Sequence, residues 1–302
     1  MGAGHDHSPG TATGRHRRRL VLVLVLTLSV VGVQVVGGLV SGSLALLADA
    51  GHMLTDATGV AIALISTVIA ARPATNARTF GLQRGEMLAA LANAVLLGVL
   101  AVWVITAAVR RWNDPPEVAS GLMLVVAVAG AIANLISLLI LRSAREESLN
   151  VRGAYLEVLG DLIGSVAVII AALVITITGY TRADIIASVG IGLFILPRAW
   201  SLLGDVLDVL LEATPKGMDL DRVREHIRGV PGVHDLHAWT ITSGVPVLSA
   251  HVVVDQECID TGRTGQVLDQ LGACLGEHFD TDHCTFQLEP AGHGSHEAHQ
   301  HA

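Results

Sequence analysis

Charge is scarce in this chain. Only 15% of its 302 residues are Asp, Glu, Lys or Arg, against about a quarter in soluble domains. Hydrophobic residues make up 51% and the mean hydropathy is +0.58, so the chain is a membrane protein with some soluble mass attached. A net charge of −8 leaves no broad basic surface and excludes a nucleic-acid partner. Cysteine is scarce too: Cys258, Cys274 and Cys284 all lie late, with no C-x-x-C, which is no disulfide framework and fits a reducing, cytosolic location for that region. No G-x-x-x-x-G-K-[ST] phosphate loop and no H-E-x-x-H helix occurs. An ATP-driven pump and an intramembrane metallo-enzyme are therefore disfavoured, and no catalytic residue or cofactor is expected.

What is abundant is apolar sequence in runs of bilayer length, about 20 residues. Six are expected, at 20–40, 44–71, 86–109, 118–141, 153–177 and 183–203, with Pro197 near the end of the last expected to kink it. The first is too long for the apolar core of a leader peptide. With the N-terminus placed inside, the inside segments hold ten arginines and the outside loops three, Arg110, Arg111 and Arg182. That bias favours both termini in the cytoplasm and, with no organelle signal, a multi-pass protein of a bacterial inner membrane.

The expected organisation is a tail over 1–19, a six-helix transmembrane domain over 20–207, a cytoplasmic domain over 208–290 and a disordered His-rich tail over 291–302. The cytoplasmic part reads as helix 219–228, strand 233–242, a turn at Ser243-Gly244, strand 247–255, helix 264–279 and strand 284–289. This αββαβ order suits a ferredoxin-like α+β layer pair.

Within the spans, ionisable residues recur in two pairs of identical spacing: His52 with Asp56, and Glu157 with Asp161. Charge in lipid is costly and marks a partner or an ion path, and a spacing of four residues puts both members on one helix face. Two such faces turned together offer a divalent cation one nitrogen and three carboxylates, and only convergent helices can supply such a donor set. Asp49 falls on the face of His52 and Asp56 and is expected to support the ligands or the helix start. Gly160 and Gly164 are expected to allow close helix approach, and Asn93 and Asn134 to bond between helices. Arg84 and Glu86 are expected to anchor the start of the third span. Of 14 histidines only His52 lies in a span; ten follow the last one. The tail residues His293, His296, His299 and His301 either gather metal or have no role.

These stretches carry a family resemblance. LLADAGHMLTD at 46–56, RTFGLQRGEMLAALANA at 78–94, AYLEVLGDLIGS at 154–165, VHDLHAWTITSGVPVLSAHVVVD at 233–255 and HCTFQLEP at 283–290 resemble the cation diffusion facilitator family of heavy-metal transporters, over nearly all of 20–290. The resemblance implies six helices, a homodimer in lipid, efflux of a divalent cation against protons, and His52, Asp56, Glu157 and Asp161 as its ligands. It also implies further metal at His234, His251, His283 and Glu289 of the cytoplasmic domain, with Cys284 beside them. His237, three residues after His234 on an unbroken strand, would face the other way.

Zinc transporters of this family usually have His where this chain has Glu157. With three ionised carboxylates, a bound divalent cation leaves one negative charge in a low-dielectric setting, which calls for a retained proton or a nearby cation. Oxygen donors favour harder ions and imidazole favours zinc. Zinc is therefore expected as principal substrate, with looser selectivity extending to Cd2+, Co2+, Fe2+ and Mn2+. Metal displaces protons from its ligands, which gives an antiporter its exchange. A membrane metal sensor that transports nothing is the alternative; it lacks an output module after residue 290.

Overall fold

The computed structural model describes residues 12–70, 74–143, 149–227, 233–242, 245–279, 283–290 and 292–293. They form two compact units. One comprises the described residues within 1–68 and 89–203, the other those within 69–88 and 204–302.

The first unit is helical. Its helices are α1 (Ala12–Ser41), α2 (Leu44–Ala70), α3 (Arg84–Arg111), α4 (Ser120–Arg142), α5 (Leu149–Thr178) and α6 (Arg182–Leu210), the ends of α3 and α6 running into the second unit. Residues 20–31 of α1 read LVLVLVLTLSVV, an alternation with strand-like propensity. It is helical because a single segment in lipid must satisfy its own backbone hydrogen bonds. Among the described residues five helices, α1 and α3–α6, are long and apolar enough to cross a membrane. α2 has 27 residues, about 40 Å at the helical rise, and completes the six.

Two helices outrun their apolar runs. α1 begins eight residues before the expected span, in the arginine-rich segment, and α6 continues seven residues past Leu203. Polar turns there continue a helix nucleated by the apolar run. α6 also runs through Pro197, whose missing N–H leaves the Leu193 carbonyl without its helical donor.

The principal core joins five helices: Leu46 of α2, Leu97 of α3, Met123 of α4, Val168 of α5 and Ile195 of α6 belong to one buried cluster. α1 packs in a separate cluster, where Leu20 and Val23 meet Leu138 and Leu141 of α4 and Val151 and Val158 of α5. Large apolar side chains point outward all along the bundle, among them Val36, Leu39, Leu139, Ile177 and Trp200. That is the surface expected where lipid, not water, is the solvent.

The second unit contains α7 (Leu220–Ile227), β1 (Val233–Thr240), β2 (Pro246–Val254), α8 (Gln256–Asp260), α9 (Thr264–Phe279) and β3 (His283–Pro290). Asp219 caps α7, its Oδ1 accepting from the Asp221 and Arg222 amides. The sheet order is β1-β2-β3, β1 antiparallel and β3 parallel to β2. A parallel neighbour requires a crossover, which α8 and α9 supply. The expected αββαβ order holds, with α8 added: five residues after the second strand are too few to show a helical period. The turn residues Ser243 and Gly244 lie outside the described residues, but across them the Val245 amide donates to the Thr242 carbonyl. Val223, Leu248, Ala250, Val252 and Leu271 form the core between helices and sheet.

Candidate metal centre

α2 and α5 bring the spaced pairs together. His52 Nε2 lies 3.6 Å from Asp56 Oδ2 and 3.8 Å from Asp161 Oδ1. One ligand atom from each of the three residues falls within 4.8 Å of the others, and all three residues are buried. Donors around one tetrahedral zinc stand about 3.4 Å apart, so small side-chain shifts would close this set on an ion. Both ring nitrogens of His52 and Oδ1 of Asp161 are buried with no hydrogen-bond partner among the described residues. Orphaned buried polar atoms are costly, and a divalent cation beside Asp56 would satisfy one ring nitrogen of His52 and the Asp161 oxygen together. A cavity of about 30 Å3 borders the centre, lined in part by Thr27, Asp56, Glu157 and Asp161; that is room for roughly one water molecule.

Glu157 stands one turn from Asp161 but outside this three-residue group. Its Oε1 accepts from Arg198 Nη2 at 3.1 Å, while Arg198 Nη1 donates to Asp56 Oδ2 at 2.9 Å. Arg198 comes from α6 and was legible in the sequence as the one arginine inside the sixth apolar run; the two-pair pattern on the second and fifth spans drew attention away from it.

Asp49 supports the centre without joining it. Its Oδ2 accepts from Gln34 Nε2 at 2.7 Å and from Ser165 Oγ at 3.2 Å, and Asn134 Nδ2 approaches Ser165 Oγ at 3.4 Å. Four helices thus meet in one buried polar layer a turn away from His52. Gly164 makes the layer possible: a Cβ there would lie 2.5 Å from Asp49 Oδ1. Gly160 has no such role, since a Cβ there would make only ordinary contact with Phe194 at 3.9 Å.

A second polar clasp sits at the start of α2. Asp184 of α6 accepts from the Leu44 amide at 2.9 Å, the Ala45 amide at 3.2 Å and Ser43 Oγ at 2.6 Å. Ser43 Oγ in turn accepts from the Leu46 amide. First-turn amides that would otherwise be orphaned are capped by a carboxylate from another helix. Sequence inspection missed Asp184 because a lone acidic residue in a first turn is common.

In the cytoplasmic unit, His251 Nδ1 lies 3.9 Å from the buried Glu289 Oε2. Position 234 pairs with 251, and 237 pairs with 249, across a register shift at which Asp235 has φ 48°. This bulge sets two residues of β1 against one of β2. Positions 234 and 237 therefore fall opposite two positions that share a face of β2, and the expectation of opposite faces on an unbroken strand does not hold. The His234 side chain lies outside the described residues. His283 pairs with Val247 at the other end of β2 from Val253 and Glu289; its exposed ring meets the edge of Phe80 at 5.8 Å. Cys284 is half-buried and not in a disulfide. In the same unit Arg84 pairs with Glu212 at 2.7 Å, and Glu86 Oε2 accepts from Thr242 Oγ1 at 2.7 Å, so the start of α3 is anchored as expected. The tail histidines His296, His299 and His301, like His5 and His7, lie outside the described residues.

A bundle of apolar helices carrying a buried His/Asp/Asp cluster, followed by a small cytoplasmic α+β domain, defines a membrane cation carrier. Residues 20–211 match the cation efflux transmembrane domain and residues 215–291 the cytoplasmic domain of cation efflux proteins. The chain belongs to the cation efflux family, whose members are transporters, not enzymes. It is 46% identical to the metal cation efflux system protein CzcD of Cupriavidus metallidurans, over all of this chain and 94% of that one. It is 43% identical to the zinc transporter ZitB of Escherichia coli, over 85% of this chain and 82% of that one. To a cadmium, cobalt and zinc/H(+)-K(+) antiporter of Bacillus subtilis it is 37% identical, over 86% of this chain and 85% of that one.

Proposed function

We propose that this protein exports divalent heavy-metal cations from the cytoplasm in exchange for protons, with zinc as its principal substrate. The observation that carries the reading is the buried His52, Asp56 and Asp161 cluster with its orphaned donor atoms. Glu157 serves as the fourth ligand or as the charge beside it. One imidazole among oxygens supports zinc with looser selectivity, and relatives whose names include zinc, cadmium and cobalt agree with that range.

Ligands must shed protons to take up metal, so binding and protonation exclude one another at the same atoms. Alternating access to the two sides then exchanges one for the other. No ATP site is needed; the proton gradient supplies the work. The protein acts as a homodimer in a bacterial inner membrane with both termini in the cytoplasm, the orientation the arginine bias favours. In the cytoplasmic domain, His234, His251, His283 and Glu289 serve as further metal ligands, a reading supported by the approach of His251 to Glu289.

The test is reconstitution in liposomes that enclose a metal-sensitive dye and a pH dye, with Zn, Cd, Co, Mn and Fe(II) offered in turn. Metal influx with opposed proton movement, abolished by Asp161→Ala, is expected. Metal binding without flux of any ion under a proton gradient would overturn the transporter reading in favour of a membrane metal sensor.

A further inference from the structure

The proposed ligand set contains an electrostatic difficulty. Asp56, Glu157 and Asp161 bring three negative charges to one place, and a divalent cation cancels two. A buried, uncompensated charge is strongly destabilising. Arg198 lies where the third must be met. Its two terminal nitrogens fork, one to Asp56 Oδ2 at 2.9 Å and one to Glu157 Oε1 at 3.1 Å. The guanidinium is planar and always charged, and it fits two carboxylate oxygens at once.

We propose that Arg198 is the resident counter-ion of the transport site, a positioning and specificity-determining residue for the carried metal. The assignment rests on the reading of His52, Asp56, Glu157 and Asp161 as that site. Before metal arrives, Arg198 holds Asp56 and Glu157 in place of a free cation. The Asp56 oxygen it holds is also the one 3.6 Å from His52 Nε2, so an incoming ion and the guanidinium compete for one atom. Once the ion is bound, Arg198 remains with Glu157 and brings the loaded site to zero net charge. Glu157 and Arg198 thus form one functional unit: a carboxylate at 157 is tolerated because α6 supplies a cation, and a neutral ligand at 157 would require none.

Charge balance makes the assignment testable by reciprocal rescue. Arg198→Gln leaves the loaded site one charge negative, and Glu157→His leaves it one charge positive. The pair together returns it to zero and keeps four ligands. Initial zinc flux is measured in proteoliposomes of the full-length chain, and zinc affinity by calorimetry in detergent, with the heat lost in Asp161→Ala defining the site. Each single variant is expected to lose flux by about tenfold or more; the double variant should return to within about threefold of the unmodified protein. Arg198→Lys keeps the charge but loses the two-pronged fit, so it should retain more flux than Arg198→Gln and less than the unmodified protein, which separates a charge role from a folding defect seen by gel filtration. Losses that simply multiply in the double variant, or an Arg198→Gln protein that transports normally, would overturn the assignment. Unchanged flux and zinc binding in Asp161→Ala would instead sink the transport-site reading itself.

Discussion

At the residue scale, His52, Asp56 and Asp161 stand together because a four-residue spacing repeats on two helices that face each other. Their roles differ from their neighbours' through what each one touches. Asp49 lies on the same helix face as His52, yet its Oδ2 takes two hydrogen bonds, from Gln34 and Ser165, and it is committed to holding helices together. Asp49→Ala should therefore leave zinc affinity less affected than Asp161→Ala while lowering the thermal midpoint, since Gln34 and Ser165 would lose a buried partner worth about 1–3 kcal/mol. Glu157 is the proposed determinant of selectivity. In an Arg198→Gln background, Glu157→His should move preference toward zinc over manganese, because an imidazole replaces an oxygen donor. An unchanged ratio of zinc to manganese flux would remove Glu157 from the selectivity account.

At the element scale, the first two turns of α2 are held by other helices. Asp184 of α6 caps its first turn, and Gln34 of α1 and Ser165 of α5 hold Asp49. Asp184→Ala should lower stability by about 1–2 kcal/mol, as loss of a helix cap does, with Asp184→Asn milder because it keeps an acceptor; thermal unfolding monitored by circular dichroism reads both. The close approach of α2 and α5 at Gly164 makes a sharper prediction. Gly164→Ala forces a Cβ to 2.5 Å from a carboxylate oxygen and should cost about 1–3 kcal/mol, the usual range for overpacking. Gly160→Ala, with no crowding, should be close to neutral or mildly stabilising. Equal thermal midpoints for the two variants would contradict this packing.

At the scale of the whole molecule, the proposed exchange requires that metal uptake at the His/carboxylate site release protons. Zinc affinity should fall as pH falls, because each ligand must lose its proton before it can bind. Calorimetry across pH 8 to 5.5 is expected to show progressive weakening and protons released into the buffer on binding. Affinity that stays constant with pH would remove the exchange that an antiporter needs.

Apolar runs of bilayer length, the two spaced ionisable pairs and the period-two strands of the cytoplasmic domain were all legible in the linear chain, because each is a local pattern written by burial and helix geometry. The family resemblance at 46–56 and 154–165 pointed to the same four residues. Tertiary structure alone decided which partner each charge meets. Arg198 joins Asp56 and Glu157 from 142 and 41 residues away, and Asp184 caps a helix 140 residues upstream. The bulge at Asp235 likewise reverses the facing expected for His237. No period or motif encodes such pairings; they arise when buried groups must find a donor, an acceptor or a counter-charge among whatever helices and strands the fold has brought near.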